Sequence, residues 1–372
     1  MIPQTDPKAS YLAQKAEIDA AVLEVLARGA YILGPQVAAF EREFAAFTGA
    51  AFGLGVASGT DAITLGLRAL GIGRGDGVAT VSHTATATAA AIELSGATPV
   101  LLDVEPEGFG MDPAALERLL ADPPLPIRAV VPVHLYGGPC RIAEICGIAG
   151  RHGAVVLEDA SQAHGAMAGG RRVGSFGAAG AFSLYPTKNL GAFGDGGVLV
   201  TSGEALDGRA RRLREYGWRR RFVAEEPGMN SRLDELQAAI LRVKLRRLDE
   251  ANARRAAIAA RYAEGLANLP LRAPAAREGD VHVWHQYVIR VRGRDEVRAR
   301  LAEAGVGTAI HYPEPVHRQD AYARLPVGPG GLEATEALAG EILSLPMYPE
   351  LADEDVERVI EAVRAAVRGG AG

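Results

Sequence analysis

Residues 183–197 read SLYPTKNLGAFGDGG, and this stretch places a lysine, Lys188, within a run of small and turn-forming residues. Proline and glycine on both sides of the lysine interrupt regular secondary structure and let the backbone approach another group closely. A lysine in such a setting is typical of one that forms a Schiff base with a carbonyl compound. We therefore take Lys188 as the first candidate site residue, with the role of a carbonyl-binding nucleophile.

The sequence before this stretch alternates short apolar runs with helical patterns. The apolar runs lie at 78–81, 98–102, 129–133 and 154–157, and the helical patterns between them lie at 61–70, 85–95, 112–121 and 141–152. Apolar strands separated by helices are typical of a mainly parallel sheet that helices cover on both faces. The pattern predicts a large α/β domain.

After this domain the pattern is helical from Arg232 to about Leu266. That span is longer than a typical globular helix, so we expect one long helix that connects two domains. Beyond it, residues 281–290 alternate in polarity like an antiparallel strand, and helical patterns follow at 295–304 and 353–368. These elements predict a smaller C-terminal α+β domain.

We place the domain boundary within the long helical pattern. A large domain then covers residues 1–245 and a small domain covers residues 246–372. Whether the N-terminal segment packs on the small domain stays open at this point.

The composition fits an ordinary globular protein of 372 residues, 48% hydrophobic and 23% charged. The formal net charge is −5, and residues of both signs are scattered along the chain, which argues against a nucleic-acid-binding face. A basic cluster at 211–221 is either a solvated helix face or a contact for an anionic substrate. Cys140 and Cys146 fit neither a zinc site nor a redox pair. Without a signal peptide or an apolar span, we predict a cytoplasmic protein with no metal site and no membrane or nucleic-acid partner.

A second candidate site is the sequence ASGTDA at residues 57–62, at the start of a predicted helix. Ser58 and Thr60 can cap the helix, and Gly59 lets a ligand approach the backbone. Free N–H groups and the positive end of the helix dipole favour an anion such as a phosphate. An ordinary capped helix is the alternative, and the sequence lacks the complete glycine pattern of a dinucleotide site.

Two adjacent acids, Glu158 and Asp159, follow directly on the apolar run that ends at Leu157. Ligands of open α/β sheets bind at the carboxyl ends of the strands, which is where these acids lie. Capping of the next helix is the alternative role. We take Asp159 as the candidate partner of a protonated heterocycle nitrogen and Glu158 as the structural acid.

The joint occurrence of these features indicates one cofactor. Pyridoxal phosphate needs a Schiff-base lysine, a carboxylate that keeps the pyridine nitrogen protonated, and an anion pocket for its phosphate. Lys188, Asp159 and the Ser58–Thr60 turn supply all three. The sequence therefore predicts a pyridoxal-phosphate enzyme.

Several motifs, in order along the chain, resemble those of the DegT/DnrJ/EryC1/StrS sugar aminotransferases, which are fold-type-I pyridoxal-phosphate enzymes. They are YILGP at 31–35, SGTDA at 58–62, PVHLYG at 132–137, EDASQAHG at 158–165, YPTKNLG at 185–191, NSRLDELQAA at 230–239 and IHYP at 310–313. The similarity runs from about residue 10 to about residue 365. It implies a large domain with a mainly parallel seven-stranded sheet and a smaller C-terminal α+β domain.

The resemblance also implies roles for individual residues. Lys188 carries the cofactor and shuttles a proton, Asp159 holds the pyridine nitrogen, and Gln162 approaches the phenolic oxygen of the cofactor. The residues that bind the phosphate are Gly59, Thr60 and Ser183, with Asn230 reaching the cofactor phosphate of the partner subunit in a homodimer with shared sites. His311 and Tyr312 resemble residues of the sugar pocket, although packing within the small domain is an alternative for both.

One segment departs from the family pattern. Members usually carry an aromatic residue that stacks on the pyridine ring in the segment after the second strand, and Ala85 stands at that position. His83, two residues earlier, is our candidate for the stacking plane. A structural, hydrogen-bonded histidine is the alternative.

By the same resemblance, the reaction transfers an amino group from an amino acid, L-glutamate by analogy, to a nucleotide-linked ketosugar. The segment at 228–236 is most similar to enzymes that aminate C3 of a dTDP-3-keto-6-deoxyhexose. Amination of C4, as in perosamine synthases, is the first alternative, and a cyclitol aminotransferase is the second. A non-catalytic, cofactor-binding regulator on the same fold is the alternative from another class, and retained transamination activity would exclude it.

Overall fold

The computed structural model describes residues 1–368, and within them the chain forms thirteen α-helices and fourteen β-strands. The helices are α1 Pro7–Ala13, α2 Lys15–Arg28, α3 Pro35–Thr48, α4 Gly59–Ala69, α5 Thr86–Ser95, α6 Pro113–Ala121, α7 Ile142–Arg151, α8 Glu204–Arg214, α9 Glu235–Leu245, α10 Leu248–Gly265, α11 Arg294–Glu303, α12 Glu333–Glu341 and α13 Asp353–Arg368. The strands are β1 Phe52–Val56, β2 Gly77–Val81, β3 Thr98–Leu102, β4 Ile127–Val130, β5 Val155–Asp159, β6 Met167–Ala168, β7 Arg171–Arg172, β8 Ala179–Ser183, β9 Gly197–Thr201, β10 Trp218–Arg220, β11 Val223–Ala224, β12 Leu271–Arg272, β13 Tyr287–Val291 and β14 Ile342–Leu345.

Seven of these strands form the main sheet, in the order β1-β9-β8-β5-β4-β2-β3. The neighbours from β3 to β8 run parallel, whereas β9 runs antiparallel to both β8 and β1. Most residues of these strands are buried, because helices lie on both faces. The predicted α/β fold with a mainly parallel seven-stranded sheet is confirmed.

The two faces of the sheet have separate hydrophobic cores. One face packs against α6 and α7 and continues into residues of the C-terminal part such as Val288 and Ile342. The other face packs mainly against α4 and α8. The sheet between the two cores places the carboxyl ends of β2, β5 and β8 at the same edge, with β4 between β2 and β5.

The C-terminal part has a three-stranded antiparallel sheet, in the order β12-β13-β14, with α10, α11 and α13 packed against it. The first residues of the chain join this part: Ile2 forms a parallel bridge with Val306, and Gln4 donates a hydrogen bond to Gln286 at 2.6 Å. The division at residue 245 stays a proposal, and residues 369–372 of the predicted small domain lie outside the described residues.

The prediction of one long helix from Arg232 to Leu266 is wrong. The chain forms α9 and α10 instead, with a break at Arg247, whose φ of −112° and ψ of 7° leave the helical region. Leu245 and Leu248, on either side of the break, both pack against the same core cluster.

The predicted strand at 281–290 is shorter than expected, since β13 begins at Tyr287. Residues 282–286 instead leave the sheet and contact the edge where β5 and β8 end, as described below. Among the described residues, no helix is long and apolar enough to cross a membrane.

Candidate active site

Lys188 lies in a tight turn that follows β8. The amide of Lys188 donates to the carbonyl of Tyr185 at 2.9 Å, and the amide of Ala192 donates to the carbonyl of Leu184 at 2.8 Å. A Cβ on Gly191 would lie 2.4 Å from the carbonyl oxygen of Pro186, so only glycine fits there. The turn thereby brings the lysine back to the carboxyl ends of the central strands.

A cavity of about 240 Å³ lies at this edge of the sheet. Six of the predicted site residues line it, and they are Gly59, Thr60, Asp159, Gln162, Ser183 and Lys188. They come from the start of α4, the end of β5 with the segment after it, and the end of β8 with the turn after it. The parallel sheet brings these distant segments together at one edge.

One end of the cavity is built from the start of α4. Ser58 caps this helix, since its Oγ accepts a hydrogen bond from the amide of Asp61 at 3.0 Å. The first amides of an α-helix have no partner within the helix. A Cβ on Gly59 would lie 2.7 Å from the Cβ of Ser183, so the glycine lets the helix start and the end of β8 approach each other closely. This end fits a phosphate group.

Asp159 is buried at the end of β5 and is held by two hydrogen bonds. Its Oδ2 accepts from the hydroxyl of Thr88 at 2.8 Å, and its Oδ1 accepts from the amide of Ser161 at 3.1 Å. These two hydrogen bonds fix the orientation of the carboxylate at the end of β5. The neighbouring Glu158 is fully buried outside the cavity lining and accepts hydrogen bonds from the amides of Gly174, Phe176 and Gly177.

Burial lowers the pKa of Lys188 to about 8, and the Asp159 carboxylate partly opposes this effect. Three imidazoles near the lysine stay neutral, because burial and the lysine charge lower their pKa values: His164 to about 3, His311 to about 4, and His285 well below its ordinary value. The amine is therefore available in both protonation states near neutral pH, which a group that moves protons requires.

Gln162 connects the cavity to Tyr312. Its Oε1 accepts from the amide of Tyr136 at 2.8 Å, and its Nε2 donates to the hydroxyl of Tyr312 at 3.0 Å. Burial raises the pKa of that hydroxyl to about 12, so Tyr312 is a neutral phenol. His311 points its Nδ1 at the hydroxyl of Ser344, 2.8 Å away. Both residues adjoin the cavity, behind its lining.

His83 does not lie where the sequence led us to expect. Its ring is fully buried, its Nε2 is 2.9 Å from the hydroxyl of Tyr136, and it stacks on the ring of Phe109 with centroids 6.0 Å apart. Ala85 lines the cavity instead. The prediction of His83 as a stacking plane is therefore corrected: the chain turns after β2, and the turn directs this side chain away from the cavity.

Asn230 also lies outside the cavity of its own chain. It is exposed and forms an isolated bridge with Glu215. Its role toward a partner subunit stays a prediction.

Two residues of the site were missed from the sequence. Thr88 holds Asp159 from the first turn of α5, and Tyr136 holds Gln162 through its backbone amide. Tyr136 lies in a recognised motif, but no pattern assigned it a contact. A hydroxyl in the first turn of the helix after β2 was the available signal for Thr88.

These residues fit pyridoxal phosphate. The start of α4 and Ser183 form a cradle for a phosphate, Asp159 can hold a protonated ring nitrogen, and Lys188 presents an amine to a carbonyl carbon within one cavity. In the described part of the chain, no group of three or more histidine, cysteine or acidic residues is arranged to hold a metal ion.

Comparison with known proteins agrees with this arrangement. The model of the DegT/DnrJ/EryC1/StrS aminotransferase family matches residues 13–364. The chain is 46% identical over 364 residues to dTDP-3-amino-3,4,6-trideoxy-alpha-D-glucose transaminase of Streptomyces venezuelae, covering 98% of this chain and 95% of that protein. It is 47% identical over 367 residues to the erythromycin biosynthesis sensory transduction protein EryC1 of Saccharopolyspora erythraea, covering 98% and 99%.

A solved structure extends the agreement to three dimensions. The crystal structure of S. venezuelae DesV, in complex with a ketimine intermediate, superposes with a TM-score of 0.94 at 46% identity and covers 98% of both chains. The chain therefore belongs to the DegT/DnrJ/EryC1/StrS aminotransferases, a family of pyridoxal-phosphate enzymes.

Proposed function

We propose that this protein transfers an amino group from an amino acid, L-glutamate in the first instance, to C3 of a dTDP-linked 3-keto-6-deoxyhexose. The observation that carries the proposal is the single cavity that joins Lys188, Asp159 and the start of α4. A lysine amine, a carboxylate and an anion cradle in one cavity match the three functional groups of pyridoxal phosphate.

We assign the holding of the cofactor to residues of this cavity. Gly59 and Thr60 would offer backbone amides and Ser183 its hydroxyl to the phosphate, Asp159 would hold the protonated ring nitrogen, and Gln162 would border the ring. When bound, the cofactor supplies an electron sink for carbanion chemistry at the substrate carbon.

Lys188 is the residue that moves protons in this proposal. Its Nζ takes up a proton from the α-carbon of the amino donor and delivers one to the sugar carbon that receives the amino group. A pKa of about 8 leaves the amine near balance between its two forms at about pH 8, which suits both directions of transfer. The neutral imidazoles of His164 and His285 add no competing charge beside it.

The choice of C3 rests on similarity. The S. venezuelae relative is named for a dTDP-3-amino sugar and aligns with this chain over nearly its whole length. A relative from Aneurinibacillus thermoaerophilus that is 44% identical is named as a dTDP-3-amino-3,6-dideoxy-alpha-D-galactopyranose transaminase. Amination of C4 of a 4-keto sugar is the alternative that the experiment below separates.

We further propose that the protein is a homodimer whose sites are shared. Asn230 is exposed and lies outside its own cavity, as expected of a residue that serves the other subunit. Tyr185 and Asp195 border the cavity and are both exposed, so that a second chain has access to its mouth. We also keep the cytoplasmic location as part of this proposal.

A regulator without catalysis is the second candidate, because one close relative is named as a sensory transduction protein. The retained lysine and carboxylate favour the enzyme, since a protein that only binds the cofactor does not need a lysine whose pKa is lowered to about 8.

The test uses the visible spectrum of the full-length protein loaded with pyridoxal phosphate. We expect L-glutamate to replace a long-wavelength band by a shorter-wavelength one, and the converted protein to aminate a dTDP-3-keto-6-deoxyhexose faster than the 4-keto isomer. Lys188→Ala is the control and should bind cofactor without turnover. A spectrum that glutamate and other amino acids leave unchanged would favour the regulator, and faster reaction of the 4-keto sugar would refute the C3 assignment.

A further inference from the structure

The residue after the lysine, Asn189, uses its side chain to tie the lysine turn to two other segments. Its Nδ2 donates one hydrogen bond to Oδ1 of Asn252 on α10 and one to the carbonyl of Val283, both at 2.8 Å. Its Oδ1 lies 3.2 Å from Nδ1 of His285. Val283 and His285 belong to the segment that leads into β13.

These contacts fix the orientation of the amide. The carbonyl of Val283 can only accept, so the Nδ2 side must face it, and the Oδ1 side then accepts from the His285 ring. Both N–H groups and one lone pair of the Asn189 amide are thereby used. An amide with this many defined partners has one orientation, and it restrains the backbone that carries Lys188.

Asn252 extends the connection to the other side of the site. Its Nδ2 donates to the carbonyl of His164 at 2.8 Å. A Cβ on Gly165 would lie 2.8 Å from that nitrogen, and Gly165 has a φ of +93°, so the chain after Asp159 is shaped to meet Asn252. One pair of amides thus links the lysine turn with the segment that carries Asp159 and Gln162.

We propose that Asn189, acting through Asn252 and the carbonyl of Val283, is a positioning residue that sets the Lys188 amine relative to Asp159 and couples it to the placement of the C-terminal part. This inference rests on the proposed function, in which Lys188 moves the proton. It assigns a role to three residues that lie outside the cavity lining.

The other end of the same loop offers a matched comparison. Gln237 on α9 also uses a side-chain amide on this loop: its Oε1 accepts from the amide of Phe193 at 2.8 Å, and its Nε2 lies 3.5 Å from the carbonyl of Phe193. These contacts hold the loop to α9 and do not involve residues 283–285. Gln237→Ala is therefore the control for loss of loop anchoring alone.

The experiment measures Lys188 directly. Acetic anhydride labelling of cofactor-free, full-length protein across pH, read by peptide mass spectrometry, gives the protonation midpoint of the amine. The charged and titratable groups that face it are Asp159, His164, His285 and His311. We expect Asn189→Ala to move the midpoint up by roughly one unit as the amine becomes more hydrated, and Asn252→Ala to move it in the same direction by less.

The loaded enzyme provides a second readout. For both asparagine variants we expect kcat to fall about tenfold or more with the KM for the sugar nucleotide within about threefold, because misplacement of a catalytic group affects the transition state more than binding. Gln237→Ala should lower the melting temperature and leave the Lys188 midpoint in place.

Two outcomes would overturn the proposal. One is an Asn252→Ala variant in which both the protonation midpoint of Lys188 and kcat are unchanged. This variant keeps the hydrogen bond from Asn189 to Val283, so it is the milder change and serves if Asn189→Ala does not fold. The other is an equal shift in Gln237→Ala, which would mean that any loosening of the loop has the same effect. The labelling needs no substrate, so it stays informative even if the proposed transamination fails.

Discussion

The carboxylate of Asp159 acts on the ε-amine of Lys188 across the cavity. Burial lowers the pKa of the amine to about 8, while the carboxylate pulls it upward. The balance between these two effects decides how much of the lysine is a free nucleophile at a given pH. Each of them can be tested at the level of one residue.

The first prediction concerns pH. A lysine whose pKa is lowered from 10.5 to about 8 is mostly neutral above pH 8, so the protein without cofactor should capture pyridoxal phosphate at a rate that rises through about pH 8 and levels off above it. Stopped-flow absorbance at several pH values measures this rate. A rate that keeps rising to pH 10 would mean that the amine is not desolvated.

The second prediction concerns Asp159→Asn. Without the carboxylate the pKa of Lys188 should fall further below 8, and kcat should drop by about 10²-fold or more, because a ring nitrogen without its anionic partner loses its proton. Steady-state kinetics and the lysine titration measure both effects. Asp195→Asn is the control, since Asp195 borders the same cavity but is exposed; equal losses in both variants would contradict the special role of Asp159.

The sequence revealed the residues that supply a reactive amine or anion. It did not reveal residues whose role depends on where their side chains point or on contacts with distant segments. Lys188 and Asp159 could be found because few other residue types supply an amine or an anion at a strand end. The placement of His83 depended on which way one turn points its side chain, and its ring meets Phe109 and Tyr136 instead of the cavity. The contacts of Thr88 and Asn189 join segments far apart in sequence, and no local pattern encodes them.

At the scale of elements, the start of α4 is the feature that makes the anion cradle. Its geometry depends on the close approach of Gly59 to Ser183. We expect Gly59→Ala to weaken binding of pyridoxal phosphate by about tenfold or more, because the added methyl group would push the helix start away from the end of β8. Fluorescence titration with the cofactor measures the Kd.

Gly73→Ala is the control for this prediction. Gly73 has an ordinary φ, and a Cβ there would meet its nearest neighbour at 3.6 Å, an ordinary contact distance. A comparable loss of affinity in Gly73→Ala, or full affinity in Gly59→Ala, would argue against the cradle.

Most of the elements that hydrophobic periodicity predicted lie close to their positions in the structure, and the long helical pattern at 232–266 is the main exception. The predicted helices at 112–121 and 353–368 agree with α6 and α13 to within one residue at each end. The break at Arg247 contains neither proline nor glycine, so the sequence gives no local stop signal there. The structure shows the break in the backbone angles of Arg247, φ −112° and ψ 7°.

At the scale of the whole molecule, the proposed sharing of sites predicts complementation between two inactive variants. If Asn230 serves the partner's site, a mixed dimer of Lys188→Ala and Asn230→Ala chains has one site with both defects and one intact site. Mixing the two variants under conditions that allow exchange should restore about a quarter of wild-type activity, since half of the dimers are mixed and each has one of two sites intact.

Coupled activity assays before and after exchange measure this recovery, and sedimentation checks that dimers form. Absence of recovery, when exchange is proven and Asn230→Ala alone is defective, would mean that Asn230 acts within its own subunit or only in stability.

The order of strands in the main sheet also belongs to the scale of the whole molecule. The alternating pattern predicted a mainly parallel sheet, but no local pattern specifies that β9 runs antiparallel between β8 and β1.

The Asn189 contacts have a consequence for how the protein is made. The carbonyl of Val283 lies 94 residues further along the chain, and the partner of Gln4 lies 282 residues further. A ribosome releases the lysine turn long before it releases the segment that holds the turn in place. The nascent chain therefore carries its lysine turn without the Val283 and His285 contacts until the last quarter begins to emerge, and capture of the cofactor should follow the synthesis of that segment.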